Sequence, residues 1–260
     1  MASREKRRVD QLLVDQGLAA SREKAQALIL AGKVLVADTP VTKAGTQVRT
    51  DVEVRLRGTD MRFVSRGGVK LEGALETFGL DVTGRIAADL GASTGGFTDC
   101  LVQRGATRVY AIDVGYGQLA WRLRQDDRVT VLERTNARHL TAESLPEPVD
   151  LVVGDLSFIS LEKVLPAITA IASPGADVVV LVKPQFEVGR AKLGRGGVVR
   201  DEGVRREALE DIKSAARLGG FEILGDCVSP IKGAKGGNVE FLLWARTASS
   251  AAIPAATNPV

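Results

Sequence analysis

From residue 9 the apolar positions recur with helical spacing, Val9, Leu12, Leu13 and then Leu18 falling on one stripe. A second helix opens at Ser21-Arg22-Glu23-Lys24, with Ser21 as its N-cap and Ala25, Leu28 and Ile29 as its buried side, and Gly32 ends it. Lys33-Val34-Leu35-Val36 and Val52-Glu53-Val54-Arg55-Leu56 then read as short alternating strands around a turn-rich stretch. A connection over 59–64 leads to Ser65-Arg66-Gly67-Gly68-Val69-Lys70 and to a helix expected at about 71–78. Beyond it, strands are predicted at 86–90, 108–113, 129–132, 151–154, 178–182, 221–228 and 239–245. Strands that alternate with helices predict an α/β fold, a mostly parallel sheet with helices on both faces. The last two strands have no clear helix between them and predict an antiparallel end-hairpin. The expected division is a small α+β domain at 1–60, a linker at 61–64, the α/β domain at 65–246 and a tail at 247–260. The tail is rich in Ala, Ser and Pro and is expected to be disordered.

Composition narrows the class. The chain has 260 residues, 45% hydrophobic and 26% charged, which suits an ordinary globular protein with a sizeable core. No apolar run approaches the roughly 20 residues of a membrane span. The charged start Met1-Ala2-Ser3-Arg4-Glu5-Lys6-Arg7-Arg8 has no apolar segment behind it, so no secretory signal is expected. Two cysteines, Cys100 and Cys227, and the single His139 make neither a disulfide framework nor a metal-ligand pattern. A cytoplasmic location follows, with no metal. Residues 1–60 hold 11 Lys/Arg against 8 Asp/Glu, while the remainder holds 24 of each, so the net +3 sits in the first fifth and points that end at a polyanion.

The stretch Ala88-Asp89-Leu90-Gly91-Ala92-Ser93-Thr94-Gly95-Gly96-Phe97 runs a strand through a glycine-rich turn into a helix. Such a turn offers bare backbone and a helix N-terminus to a ligand. A dinucleotide fingerprint needs G-x-G-x-x-G, whereas these glycines fall as G-x-x-x-G-G; a phosphate loop needs Gly-Lys-Ser/Thr, and here Phe97 follows Gly96. The turn instead resembles the S-adenosylmethionine loop of Rossmann-like methyltransferases. Gly91, Ala92, Ser93, Thr94, Gly95, Gly96 and Phe97 are then the expected cofactor contacts. Asp113 ends the next strand 17 residues past Gly96, where a carboxylate can accept from both ribose hydroxyls. Val114 follows it, and Asn136 is placed near the adenine.

The fourth α/β strand ends Gly154-Asp155-Leu156-Ser157-Phe158. Amino-methylating enzymes usually carry Asp/Asn-Pro-Pro-aromatic there, and carbon-5 pyrimidine methylation needs a nucleophilic cysteine that neither Cys100 nor Cys227 supplies at a strand end. Oxygen is therefore the favoured acceptor. Lys183 follows the apolar run 178–182, where a lysine needs a carboxylate partner or a function. Lys70 and Glu240 likewise sit beside glycine-rich or apolar stretches, although plain alternation through 238–243 would allow Glu240 to face solvent.

The order Lys70, Asp155, Lys183, Glu240 resembles the Lys-Asp-Lys-Glu set of FtsJ-like ribose 2′-O-methyltransferases. The phrases at 65–68, 113–119, 133–136, 155–160 and 183–187 resemble the TlyA family, which joins an N-terminal S4 domain to such a methyltransferase, and the likeness spans about residues 4–246. The helix, helix, Ala-Gly-Lys-Val, strand order of the first 60 residues is itself similar to the S4 RNA-binding domain. The resemblance implies S-adenosylmethionine as cofactor and a cytidine ribose 2′-hydroxyl of ribosomal RNA, within assembled subunits, as acceptor. It implies that Lys183 activates the hydroxyl, either as a neutral base or as a cation stabilising the alkoxide. Asp155 would tune that lysine, and Lys70 and Glu240 would position the ribose and balance charge. RNA contacts are implied for Arg7, Arg8, Arg22, Lys24 and Lys33, with Arg4 in the same extension, and for Arg66, Arg134 and Arg138 near the site. The family's historical name, haemolysin, raises a membrane-active alternative, but the sequence shows no signal, amphipathic β-pattern or apolar helix. An RNA-binding protein with an inactive methyltransferase domain is the other alternative, and the four charged residues argue against it.

Overall fold

The computed structural model describes residues 6–249 apart from 17, 20, 51, 53, 58–61, 190, 191, 195 and 234–236. Arg4, Met61 of the expected linker and residues 250–260 of the expected tail lie outside the described residues. The chain forms two compact units, divided after Met61.

Short apolar runs between charged flanks build the first unit. Its elements are β1 (Lys6–Arg8), α1 (Val9–Asp15), α2 (Arg22–Leu30), β2 (Val34–Val36), β3 (Thr39–Pro40), β4 (Gln47–Arg49) and β5 (Val54–Leu56). β1 pairs antiparallel with β4, and β2 lies between β3 and β5. Val9, Leu12, Leu13, Ala25, Ile29, Val34, Val54 and Leu56 form the core. Ser21 caps α2 by accepting from the Lys24 N–H at 3.3 Å. One expectation needs correction, and one element carried no sequence signal. Leu18 lies beyond α1, where its N–H closes a turn onto the Leu13 carbonyl at 2.8 Å. Arg7 and Arg8 are strand residues, because β4 supplies an antiparallel partner that local periodicity does not reveal.

Asp10 is fully buried at the start of α1 and is surrounded by donors. Arg8 reaches it through Nε at 3.0 Å and Nη2 at 2.9 Å, and Arg22 Nε and Gln26 Nε2 each stand at 3.1 Å. Hydrogen bonding to Arg8, helped by Gln26 and Arg22, holds the Asp10 carboxyl well below the usual carboxylate range despite its burial.

The second unit follows as α3 (Gly67–Phe78), β6 (Ile86–Leu90), α4 (Gly96–Gln103), β7 (Arg108–Ile112), α5 (Trp121–Arg124), β8 (Val129–Leu132), β9 (Val149–Gly154), α6 (Leu165–Ile171), β10 (Ala172–Val182), α7 (Pro184–Glu187), α8 (Glu202–Leu218), β11 (Glu222–Val228) and β12 (Phe241–Arg246). The seven strands lie in the order β11-β12-β10-β9-β6-β7-β8. β6 to β10 are parallel, and β12 and β11 complete the sheet antiparallel, as the strand pattern predicts. The central runs are mostly apolar because both faces are covered. Val178, Val180 and Val182 of β10 join one core with β9's Val152 and α8's Leu209, while Val179 and Leu181 join the other with α3's Leu71 and α4's Leu101.

Two boundaries move by more than three residues. α3 begins at Gly67 rather than 71, so Lys70 sits in its first turn. β10 begins at Ala172, with an irregular register before Asp177, and Thr247 closes that irregularity. The Thr247 hydroxyl accepts from the Ala176 N–H at 2.9 Å and donates to the Ser173 carbonyl at 2.8 Å. Thr247, assigned to the tail from composition, is buried in the second unit.

Candidate active site

Strand order decides where a ligand can enter. β6 has β7 on one side and β9 on the other, so the connections leaving β6 and β9 diverge and open a crevice at their carboxyl ends. The glycine loop and Asp155 both lie there. Gly91 has φ +81°, and a Cβ on it would stand 3.0 Å from the Asp155 carbonyl oxygen. A Cβ on Gly96 would stand 2.2 Å from Ser65 Oγ, so the start of α4 lies directly against the segment that leads into α3.

Two adjoining cavities open on this edge. The larger, about 1050 Å³, is bounded by Gly91, Ser93, Asp113, Val114, Asn136 and Arg138 among others. The smaller, about 380 Å³, takes in Ala92, Thr94, Gly96 and Phe97 together with Lys70, Asp155, Lys183 and Glu240. Asp113 accepts the Ser93 N–H at 2.8 Å on one oxygen and the Gly115 N–H at 2.7 Å on the other. A carboxylate has about four acceptor positions, so two remain for ligand hydroxyls. Asn136 Oδ1 accepts the Arg138 N–H at 3.1 Å, which leaves its amide NH₂ to donate. This cradle of backbone, carboxylate and amide fits a nucleoside carrying a small charged chain.

Asp89 supports the loop from beneath. Fully buried, it accepts from the Thr98 N–H at 2.8 Å and the Thr98 hydroxyl at 2.6 Å. Burial pushes its carboxyl up to about 7, against the Thr98 hydrogen bonds and with a further push from Asp155 and Asp113.

The four charged residues meet in a line of alternating sign. Lys183 Nζ stands 2.5 Å from Asp155 Oδ1, Asp155 Oδ2 stands 3.6 Å from Lys70 Nζ, and Lys70 Nζ stands 2.7 Å from Glu240 Oε2. Three elements and one loop end deliver them: the first turn of α3, the ends of β9 and β10, and the residue before β12. Lys70, Lys183 and Glu240 are each at most 8% exposed, so each charge depends on its neighbours for compensation. Glu240 corrects the solvent-facing alternative: the strand starts only at Phe241, so alternation does not govern it, and Lys70 draws it inward.

Three residues at this site carried no sequence signal of their own. Ser157 Oγ accepts from Lys183 Nζ at 2.8 Å. Gln185 Nε2 donates to Glu240 Oε1 at 3.4 Å. Gly233 leaves room for that same oxygen, which would lie 2.6 Å from a Cβ there. Their position follows a strand end or a loop, and only the folded chain brings them to the charged line.

The basic residues divide by unit. In the second, Arg66 donates to the Lys232 carbonyl at 3.1 Å, Arg134 lies over the Tyr116 ring at 4.5 Å, and Arg138 borders the larger cavity. In the first, Arg7 pairs with Asp15 at 2.8 Å, Arg8 and Arg22 pair with Asp10, and Lys24 and Lys33 are exposed.

Comparison with known proteins bears on both units. Residues 63–247 match the FtsJ-like methyltransferase family and residues 7–54 match the S4 domain. The 16S/23S rRNA (cytidine-2′-O)-methyltransferase TlyA of Mycobacterium tuberculosis is 52% identical over 249 residues, covering 95% of this chain and 92% of that protein. Hemolysin A of Brachyspira hyodysenteriae is 41% identical over 236 residues, covering 90% and 98%. A solved structure from Streptococcus thermophilus, described as a candidate hemolysin, is similar with a TM-score of 0.74 at 43% identity, covering 95% of this chain and 90% of that one.

Proposed function

This chain belongs to the TlyA family, an S4 domain joined to an FtsJ-like methyltransferase, and from that premise we propose that it methylates a cytidine ribose 2′-hydroxyl in ribosomal RNA. The observation that carries the reading is the alternating line Lys183, Asp155, Lys70, Glu240 beside the glycine loop. The loop Gly91–Phe97, Asp113, Val114 and Asn136 would hold S-adenosylmethionine, which supplies a methyl group on a sulfonium sulfur.

The chain's own residues do the rest. A ribose hydroxyl is a weak nucleophile, so it must be held in line and relieved of its proton as the new bond forms. Lys183 meets the hydroxyl oxygen, and Asp155 aims that lysine through the 2.5 Å contact. Lys70 is held by Glu240 on one side and faces Asp155 on the other, so the line as a whole carries two positive and two negative charges. That neutrality lets the site accept a sulfonium beside it without excess repulsion.

The 2′-hydroxyl also distinguishes RNA from DNA. Arg66, Arg134 and Arg138 would contact phosphates near the acceptor, while Arg7, Arg8, Arg22, Lys24 and Lys33 of the first unit would bind RNA, all within the cytoplasm where ribosomes are. No described helix is long and apolar enough to cross a membrane.

Ribosomal subunits from cells lacking the gene, incubated with this protein and labelled cofactor, should gain 2′-O-methylcytidine, located by mass spectrometry of nuclease fragments. Absence of label at saturating cofactor, or label on a base, overturns the reading.

A further inference from the structure

We propose that Ser157 is the proton outlet of Lys183, a positioning residue that the four-residue charged line does not include. The proposal rests on the methyl-transfer reading above. An ammonium has three donors. Lys183 directs one at Ser157 Oγ, 2.8 Å away, and is ion-paired with Asp155 Oδ1, 2.5 Å away, so a donor remains for the acceptor oxygen. In its ammonium form Lys183 meets the RNA hydroxyl already carrying its full set of protons. It can take another only by releasing one.

Lys70 and Glu240 provide no exit, and Asp155, though partly exposed, is held between the two lysines. Lys70 and Glu240 are buried against each other. On its other side Lys183 faces the Phe186 ring at 5.8 Å, which accepts no proton. Ser157 differs from all of these: its side chain is exposed, and its hydroxyl can accept a proton and donate its own to water in one motion.

The step balances. The carbon–sulfur bond breaks with its electron pair left on sulfur, the bond from the 2′-oxygen to carbon forms, and the 2′-O–H bond breaks. Lys183 first gives a proton to Ser157 Oγ while Ser157 gives its hydroxyl proton to water, and the amine so formed takes the 2′-hydroxyl proton as the oxygen–carbon bond forms. One proton leaves for each methyl group transferred, and the charged line returns to neutrality.

Two measurements on the full chain test this. In Ser157→Ala, exchange of the Lys183 Nζ protons with water, followed by NMR of protein carrying 15N-lysine, slows, and Ser157→Thr restores it. In methyl transfer to ribosomal subunits, Ser157→Ala lowers kcat about tenfold near pH 7, with KM and cofactor affinity within about twofold, because a proton-transfer role acts on the chemical step. The loss shrinks toward pH 9, where hydroxide drains Lys183 directly, and Ser157→Thr regains the rate. A rate loss of equal size at every pH, or Lys183 exchange unchanged in Ser157→Ala, overturns the proposal. If the wild-type protein methylates no ribosomal RNA, the functional reading fails instead, and the exchange measurement still decides whether Ser157 drains Lys183.

Discussion

The two units bury charge in different ways. In the first, the single carboxylate of Asp10 is encircled by Arg8, Arg22 and Gln26, and both arginines remain about half exposed. In the second, two lysines and two carboxylates alternate along a cavity wall, and three of the four are almost wholly enclosed. Asp10 therefore acts as an anchor: it fixes two arginines on the unit's surface, where their outer faces still meet solvent. The second arrangement leaves donors aimed into an open space that a reacting group can enter. Pairing a buried charge with residues that reach the surface stabilises a fold, whereas pairing buried charges around a cavity prepares a reaction.

Breaking the second arrangement has the largest expected effect. Lys183→Ala removes the group proposed to face the acceptor hydroxyl, and methyl transfer should fall by about a thousandfold, within the range for loss of a proton-transferring group. Cofactor affinity by calorimetry should stay within about threefold, since Lys183 is at the end of β10 and not in the glycine loop. A large loss of cofactor binding would mean that the charged line belongs to the cofactor site.

Breaking the first arrangement should cost stability in the first unit. Asp10→Ala leaves Arg8, Arg22 and Gln26 without their shared acceptor and should destabilise the first unit by about 2 kcal/mol. Hydrogen exchange should rise across residues 6–56 while exchange in the second unit is unchanged. Equal loosening of both units would contradict the local role assigned to Asp10.

Acid titration sharpens the contrast with the smallest effect. The Asp10 carboxyl is held low, so its contribution is complete above the ordinary carboxylate range and is lost as pH falls below it. The Asp89 carboxyl is raised to about 7, so the folded protein binds a proton there that the unfolded chain has already released. Stability from that group is therefore present at low pH and declines as pH rises from about 4 toward 7. Asp89→Asn should flatten the fall in Tm between pH 5 and pH 7.5, and Asp10→Asn should flatten the fall in acid below pH 4. If Asp89→Asn leaves the upper slope intact, the titrating group lies elsewhere.

Much of the second unit is legible along the chain because its signals are local. Val178 to Val182 is a closed apolar run and Gly91 to Phe97 a turn with its own spacing, so β10's centre and the glycine turn between β6 and α4 could be placed from sequence. The start of α3 was not legible: Gly67 and Gly68 look like breakers, and only packing against α4 overrides that reading. β1 was hidden for a similar reason, since Lys6-Arg7-Arg8 has no apolar alternation and becomes a strand through its partner β4. Thr247 resembled the tail in composition, yet its hydroxyl completes the irregular start of β10.

The sequence by itself marked Lys183 and Asp155 by the strands they follow and the glycine turn by its spacing, because these are properties of neighbouring residues, while Lys70 and Glu240 were marked through the resemblance to the FtsJ-like set. Tertiary structure alone decided how the four charged residues pair. Lys70 and Glu240 are 170 residues apart and meet at 2.7 Å only once α3 has packed against the sheet face that β12 helps to form. Ser157, Gln185 and Gly233 gain their places in the same way, through distances that no local pattern encodes.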